Sequence, residues 1–201
     1  ARKEDKAALD WTAQPRPLQQ ALALLEPSAP LHLNVTALKR SIDAGLYAET
    51  VRYCLSYHDW PFAMRQAILT ASTTDSHTHY PDAYDTPTDL LAAKRLWIDG
   101  NLAGFDVQRN LVLCKTGYHD TTPNNGVAPE VTLEYVADVP ETEWAASFWW
   151  LVTYKLTAEI ASIVAAPQLA QSWDQKAERQ LLKARQEANW GRTPPRLKLR
   201  T

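Results

Sequence analysis

Five histidines are the side chains of this 201-residue sequence best suited to metal or acid–base chemistry: His32, His58, His77, His79 and His119. The run His77-Thr78-His79 would place two imidazoles on one face of a strand, because strand side chains alternate with a period of two. His58-Asp59 and His119-Asp120 could add ligands, which would suit a zinc or manganese ion. As a signature this is weak, since two histidines at i, i+2 in a Thr-rich stretch recur without any metal. No P-loop, GxSxG, dinucleotide glycine pattern or CxxC accompanies them. Six glycines leave little material for a phosphate cradle. The residue pattern therefore predicts no enzyme, no catalytic residue, no metal and no cofactor; a His-based metal enzyme stands only as a distant alternative.

The residues that could do something else are the aromatics. Eight tryptophans are many for this length, and tryptophan supplies large contact area at interfaces. The densest apolar stretch is 140–166, PETEWAASFWWLVTYKLTAEIASIVAA. Ala145, Trp149, Val152, Leu156, Ile160 and Ile163 step by three and four, which predicts a core stripe along one helix. Trp144, Trp150, Leu151 and Tyr154 fall off that stripe, so Trp144, Trp150 and Tyr154 are candidates for a contact with another subunit or domain. A nucleic-acid stacking platform is the weaker reading, because these aromatics lie at helical core spacing rather than on basic strands.

Composition narrows the class. A net charge of −2 excludes a simple polycation that coats nucleic acid. Glu141, Glu143, Lys155 and Glu159 interrupt the apolar stretch, so no membrane span is expected. The opening Ala1-Arg2-Lys3-Glu4-Asp5-Lys6 has no apolar run, so no secretory signal is expected there. Cys54 and Cys114 have no metal-type spacing and read as buried free thiols in a reducing compartment.

The elements that must position these residues fall into five segments and an α+β class: a helical bundle, from N- and C-terminal helices, with an inserted small antiparallel β domain. Residues 1–33 read as an arm or linker broken by Pro15, Pro17, Pro27 and Pro30, with one short helix over Pro17–Glu26. Residues 34–72 read as the N-terminal helices of the bundle. Asn34 would cap the first, Gly45 would end it, Leu46–Tyr57 would form the second, and Asp59-Trp60-Pro61 would open a third through Phe62, Ile68 and Leu69. Residues 73–139 read as the β domain, with strands in LLAAKRLWI, GFDVQ, LVLCK and VTLEYVA and turns at Asp99-Gly100-Asn101 and Gln108-Arg109-Asn110. Residues 140–190 hold the C-terminal helices, broken at Pro167, the second running through Leu169, Trp173, Ala177, Leu181, Ala184 and Ala188. Residues 191–201 are a basic tail with no acid: Arg192, Arg196, Lys198 and Arg200, with Leu197 and Leu199 between them.

The order of short motifs from about Ala37 to Glu187 resembles the head-to-tail adaptor proteins of tailed bacteriophages, the tail tubular protein A group. The matching segments are Trp60-Pro61-Phe62-Ala63, then Tyr84-Asp85-Thr86-Pro87-Thr88-Asp89, then Tyr135-Val136-Ala137-Asp138-Val139-Pro140 running into a helix with Trp144 and Phe148. Leu156–Ala161 and the charged Ala-rich helix Trp173–Trp190 complete the order. The first thirty residues depart from the pattern. The resemblance implies a structural virion protein, assembled in the host cytoplasm, that forms a ring, usually of twelve copies, at the head–tail interface. Its implied partners are the portal protein, a tail nozzle of the tail tubular protein B kind, further copies of itself, and DNA passing through an axial channel during genome ejection without sequence-specific binding. The tail residues Arg192, Arg196, Leu197, Lys198, Leu199 and Arg200 would dock on the portal or a neighbour. The alternative is a cellular helical and β interaction module.

Overall fold

The 18-residue helix α4, Ala146–Ile163, is the element against which the helical unit is built; the computed structural model describes residues 13–26, 35–72, 79–116 and 128–189. This unit is discontinuous in sequence, comprising residues 1–54 and 141–201. α1 (Arg16–Leu25), α2 (Val35–Asp43) and α5 (Pro167–Asn189) all pack on α4, and α3 (Leu46–Ser56) ends at the unit's boundary. α1 starts where prolines allow a helix to start. Pro15 is its N-cap and its carbonyl accepts from the Leu18 and Gln19 amides, while Pro17 sits in the first turn, where a missing N–H costs nothing. Its Leu18, Ala21, Leu22 and Leu25 are buried at the spacing one helical face requires.

α4 and α5 form an antiparallel pair. Lys155 pairs with Asp174, and Gln180 donates from Nε2 to the Ser147 carbonyl at 2.8 Å. The turn between them is a Schellman cap: the Ala166 amide donates to Ala161 O at 2.9 Å, and the Ala165 amide donates to Ser162 O at 3.1 Å. Ala165 takes φ 59° there, the left-handed conformation usually given to glycine. The Ala166 carbonyl then accepts from Ala170, so α5 begins at once with Pro167 as its first residue.

The buried face of α4 is wider than the expected stripe. Phe148, Leu151, Val152, Leu156, Ile160 and Ala161 have no exposed surface, and α1, α2 and α5 all pack on the helix. Val152, Leu156 and Ile160 lie where the periodicity puts them. Ala145 is exposed, Trp149 and Ile163 are half-buried, and Leu151, read as off the stripe, is core. Two threonines complete the buried face without an orphaned hydroxyl, since Thr153 donates to Trp149 O and Thr157 to Thr153 O.

The second unit is the continuous stretch 55–140, inserted in sequence between the two parts of the first. It holds two antiparallel sheets, one with strand order β1-β7-β3-β4 and one with order β2-β6-β5. The strands are β1 (Met64–Ile68), β2 (Asp82–Asp85), β3 (Leu90–Ile98), β4 (Asn101–Ala103), β5 (Phe105–Gln108), β6 (Leu111–Cys114) and β7 (Val131–Ala137). Asp99-Gly100 makes the two-residue β3–β4 hairpin with φ 50° and 79°, both positive as a primed turn demands. Arg109-Asn110 joins β5 to β6. The two sheets are linked by the segment after β1: Leu69 donates to Val131 O of β7, and Ser72 and Asp85 exchange bonds with Ala83 and Thr70 beside β2.

Three expectations change here. The third helix expected over 59–72 is absent: the Trp60 carbonyl accepts from both Ala63 and Met64, closing a turn, and the chain then extends as β1 to pair with β7. The helices of the bundle therefore do not run to residue 72, and the β unit starts at Leu55 rather than at 73. β2 and β4 are strands where only turn chemistry had been read. The class itself is α+β, as expected. Asn34, as the expected cap of α2, and most of the arm lie outside the described residues.

Candidate interaction surfaces

The first surface is an aromatic ladder on α4 and α5. Trp149 meets Trp150 edge-on at 4.9 Å, Trp150 lies 5.6 Å from Tyr154, and Tyr154 lies 5.6 Å from Trp173 of α5. Helical spacing explains the Trp150–Tyr154 step, since residues four apart lie one above the other. The Lys176 ammonium sits 3.5 Å over the Trp173 ring, so the ladder is tipped by a cation. Trp150 is 38% exposed and Lys176 is exposed, whereas Trp173 is buried.

Of the three expected contact residues, Trp150 and Tyr154 come together in this ladder. Trp144 does not join them: it lies edge-on to the buried Phe148 at 5.1 Å and is half-buried. Tyr53 of α3 is a residue the periodicity missed. Its ring is 52% exposed and holds the Lys155 ammonium at 5.7 Å. The expected docking residues Arg192, Arg196, Leu197, Lys198, Leu199 and Arg200 lie outside the described residues.

The second surface belongs to the β unit. Ile68 of β1 pairs with Thr132 of β7, Thr132 with Trp97 of β3, and Trp97 with Leu102 of β4. Directly opposed residues share a face, so these four side chains form one row across the four-stranded sheet. The row one residue over, Ala67, Leu133, Leu96 and Ala103, faces the other way, and its Leu133 and Leu96 are fully buried. The outer row is open: Ile68 is 67% and Leu102 70% exposed. Beside it stand two exposed acids. Asp99 and Glu130 hold one another through the Asp99 amide to Glu130 O and the Glu130 amide to Asp99 Oδ1, both at 2.9 Å. This row spans three separate sequence segments and becomes visible only once the strand register is known.

The metal reading does not gain support. His77, His119 and Asp120 lie outside the described residues, and among the described residues no group of three or more His, Cys, Asp or Glu could hold an ion. His58 is used against Trp60, edge to face at 5.2 Å. His79 lines an open depression of about 610 Å³ with Tyr80, Ala103, Gly104 and Lys115, a described lining that offers an imidazole, a phenol and an ammonium but no carboxylate. Both cysteines are buried thiols outside any disulfide; burial pushes the Cys54 thiol up to about 12, partly offset by Lys155, and Cys114 up to about 11, with Asp82 adding to the rise. Neither is a nucleophile at neutral pH. Among the described residues no helix is long and apolar enough to cross a membrane.

Compared with known proteins, the chain matches no protein-family model, and no curated protein matches it.

Proposed function

We propose that the chain is a head-to-tail adaptor of a tailed bacteriophage: a structural virion protein that forms a ring, of twelve copies, between the portal and the tail nozzle. Its role is to hold the joint and leave an axial passage for the genome, with no catalytic step. The observation that carries this reading is the charge division between the two units. The inserted unit 55–140 has eleven Asp and Glu against five Lys and Arg, while the rest of the chain has twelve acids against sixteen bases. A ring closed by head-to-tail contacts needs two unlike surfaces on each subunit, and an acidic inserted unit together with the basic segment 192–200, which accounts for the whole excess of bases elsewhere in the chain, would supply them. An acidic wall also suits a channel through which DNA slides, because each cation placed on a phosphate adds affinity and drag. The motif order given above supplies the identity of the partners.

Mixing the purified chain with a cognate portal protein tests the reading. Rings capping the portal, seen by electron microscopy and weighed by mass measurement, are expected; a portal that stays bare at every ratio overturns it.

A further inference from the structure

The three-stranded sheet ends at a depression. Cys114 of β6 pairs with Asp82 of β2 on one side and with Phe105 of β5 on the other. One residue further along the three strands come Lys115, Pro81 and Gly104, and Pro81 has no N–H with which to extend the ladder. Past that last rung lies the open depression of about 610 Å³ lined by His79, Tyr80, Ala103, Gly104 and Lys115. Among the described residues, the Lys115 ammonium, the Tyr80 hydroxyl and the Gly104 amide make no hydrogen bond or ion pair, although Tyr80 is half-buried. Three donors of three kinds thus border one opening, and its described lining holds no carboxylate.

The other charges nearby are already engaged. Asp82 Oδ2 accepts from the Thr116 amide at 2.7 Å and from its hydroxyl at 2.6 Å. The unit has eleven Asp and Glu against five Lys and Arg, so a base in it has carboxylates to choose from. Lys94 and Arg95 pair with Asp59 and Glu134, and Arg65 donates to the Phe62 and Met64 carbonyls. Arg109 belongs to an exposed hairpin turn, which leaves Lys115 as the base that faces a cavity without a partner. A Cβ placed on Gly104 would meet nothing within 4 Å, so a ligand can reach that stretch of backbone.

We propose that this depression binds a mononucleotide, with its phosphate on the Lys115 ammonium and the Gly104 amide and its base against the Tyr80 ring. A phosphate is the anion that suits an ammonium with three donors set beside a backbone amide, since it presents more acceptor oxygens than a carboxylate does. The volume sets the size of the whole ligand: a free phosphate would leave most of the depression to water, whereas about 300–1,000 Å³ is the range of sites for small organic ligands. The Tyr80 ring and Ala103 give a flat base its apolar contact, and a π face of this kind takes any of the bases. The site is independent of the adaptor reading, which gives the depression no task.

Titration of the full chain with adenosine 5′-monophosphate, adenosine and inorganic phosphate, followed by backbone amide NMR shifts, tests it. The monophosphate is expected to shift the Ala103, Gly104 and Lys115 amides, and adenosine or phosphate alone to bind about tenfold more weakly or worse. Lys115→Ala, at an exposed position, is expected to weaken the monophosphate about tenfold through loss of one charge-assisted bond. Arg109→Ala, which removes the other exposed base of the same sheet, is expected to leave the affinity unchanged. The site is overturned by unmoved amides, by phosphate or adenosine binding as tightly as the monophosphate, or by equal losses in the two variants.

Discussion

Tyr135 donates its hydroxyl to Asp89 Oδ1 at 3.0 Å, joining the end of β7 to the residue just before β3. The Asp89 carbonyl meanwhile accepts from the Asp138 amide at 2.8 Å. Two short segments 46 residues apart, Tyr84–Asp89 and Tyr135–Pro140, are thus tied at one end of the sheet through a single aspartate. Burial raises the Tyr135 phenol, and the Asp89 carboxylate raises it further, so the hydroxyl remains a donor well into the alkaline range.

Tyr135→Phe removes that bond without changing the packing of the ring, and Tyr135 is only 5% exposed. The expected loss is about 1–2 kcal/mol, because Asp89 loses a donor in a half-buried place. Urea unfolding of parent and variant checks it; coincident midpoints would mean that the bond contributes nothing.

Leu151→Ala is expected to cost about 2–5 kcal/mol, the range for truncating a fully enclosed leucine. Trp149→Ala should cost less than Leu151→Ala despite removing more atoms, since Trp149 is half-buried. Thermal melts of both variants order the two, and the reverse order would restore the stripe through Trp149.

Ala165→Gly should stabilise the chain by about 1 kcal/mol. An L side chain in the left-handed region costs roughly 1–2 kcal/mol, part of which glycine returns through its looser unfolded state. A rise in melting temperature is the expected readout, and a fall would show that the turn is not strained.

Stability should decline above pH 9. Below that value Cys54 and Cys114 are protonated in both states; as pH rises from about 9 toward 11 and 12, the unfolded thiols ionise while the folded ones keep their protons. The unfolded state then binds fewer protons, so unfolding is favoured as pH increases. Urea midpoints at pH 8 and pH 10.5 measure the decline, and Cys54→Ala should make it shallower. Maleimide labelling of both thiols should likewise be slow at neutral pH until the chain unfolds.

Deleting residues 192–201 should leave the melting temperature unchanged but weaken docking on portal or neighbour. Undiminished ring formation by the shortened chain would remove the tail from the docking surface.

The sequence made some elements plain and hid others for identifiable reasons. α1, α4 and α5 are long enough for their periodicity to show, and prolines mark where α1 and α5 begin. β3, β5, β6 and β7 were legible as apolar runs between turn residues. β1 was hidden because Asp59-Trp60-Pro61 mimics a helix start; pairing with β7 overrides that local signal. β4, at three residues, is too short to display alternation. Leu151 was misassigned because a single stripe was drawn on a helix that three others pack against. Of the contact surfaces, Trp150 and Tyr154 could be named because they lie on one helix. Ile68, Trp97 and Leu102 could not, since only strand register brings them into line.

The insertion of one unit within the other has a consequence for biosynthesis. Leu18, Leu22 and Leu25 of α1 leave the ribosome about 130 residues ahead of the α4 face that buries them. At ~5–20 residues per second the delay is on the order of 10 s, long against the folding of a small β unit. The inserted stretch 55–140 is therefore complete before the helical unit can begin to close. During that interval the leucines of α1 lack the α4 face that buries them in the folded chain.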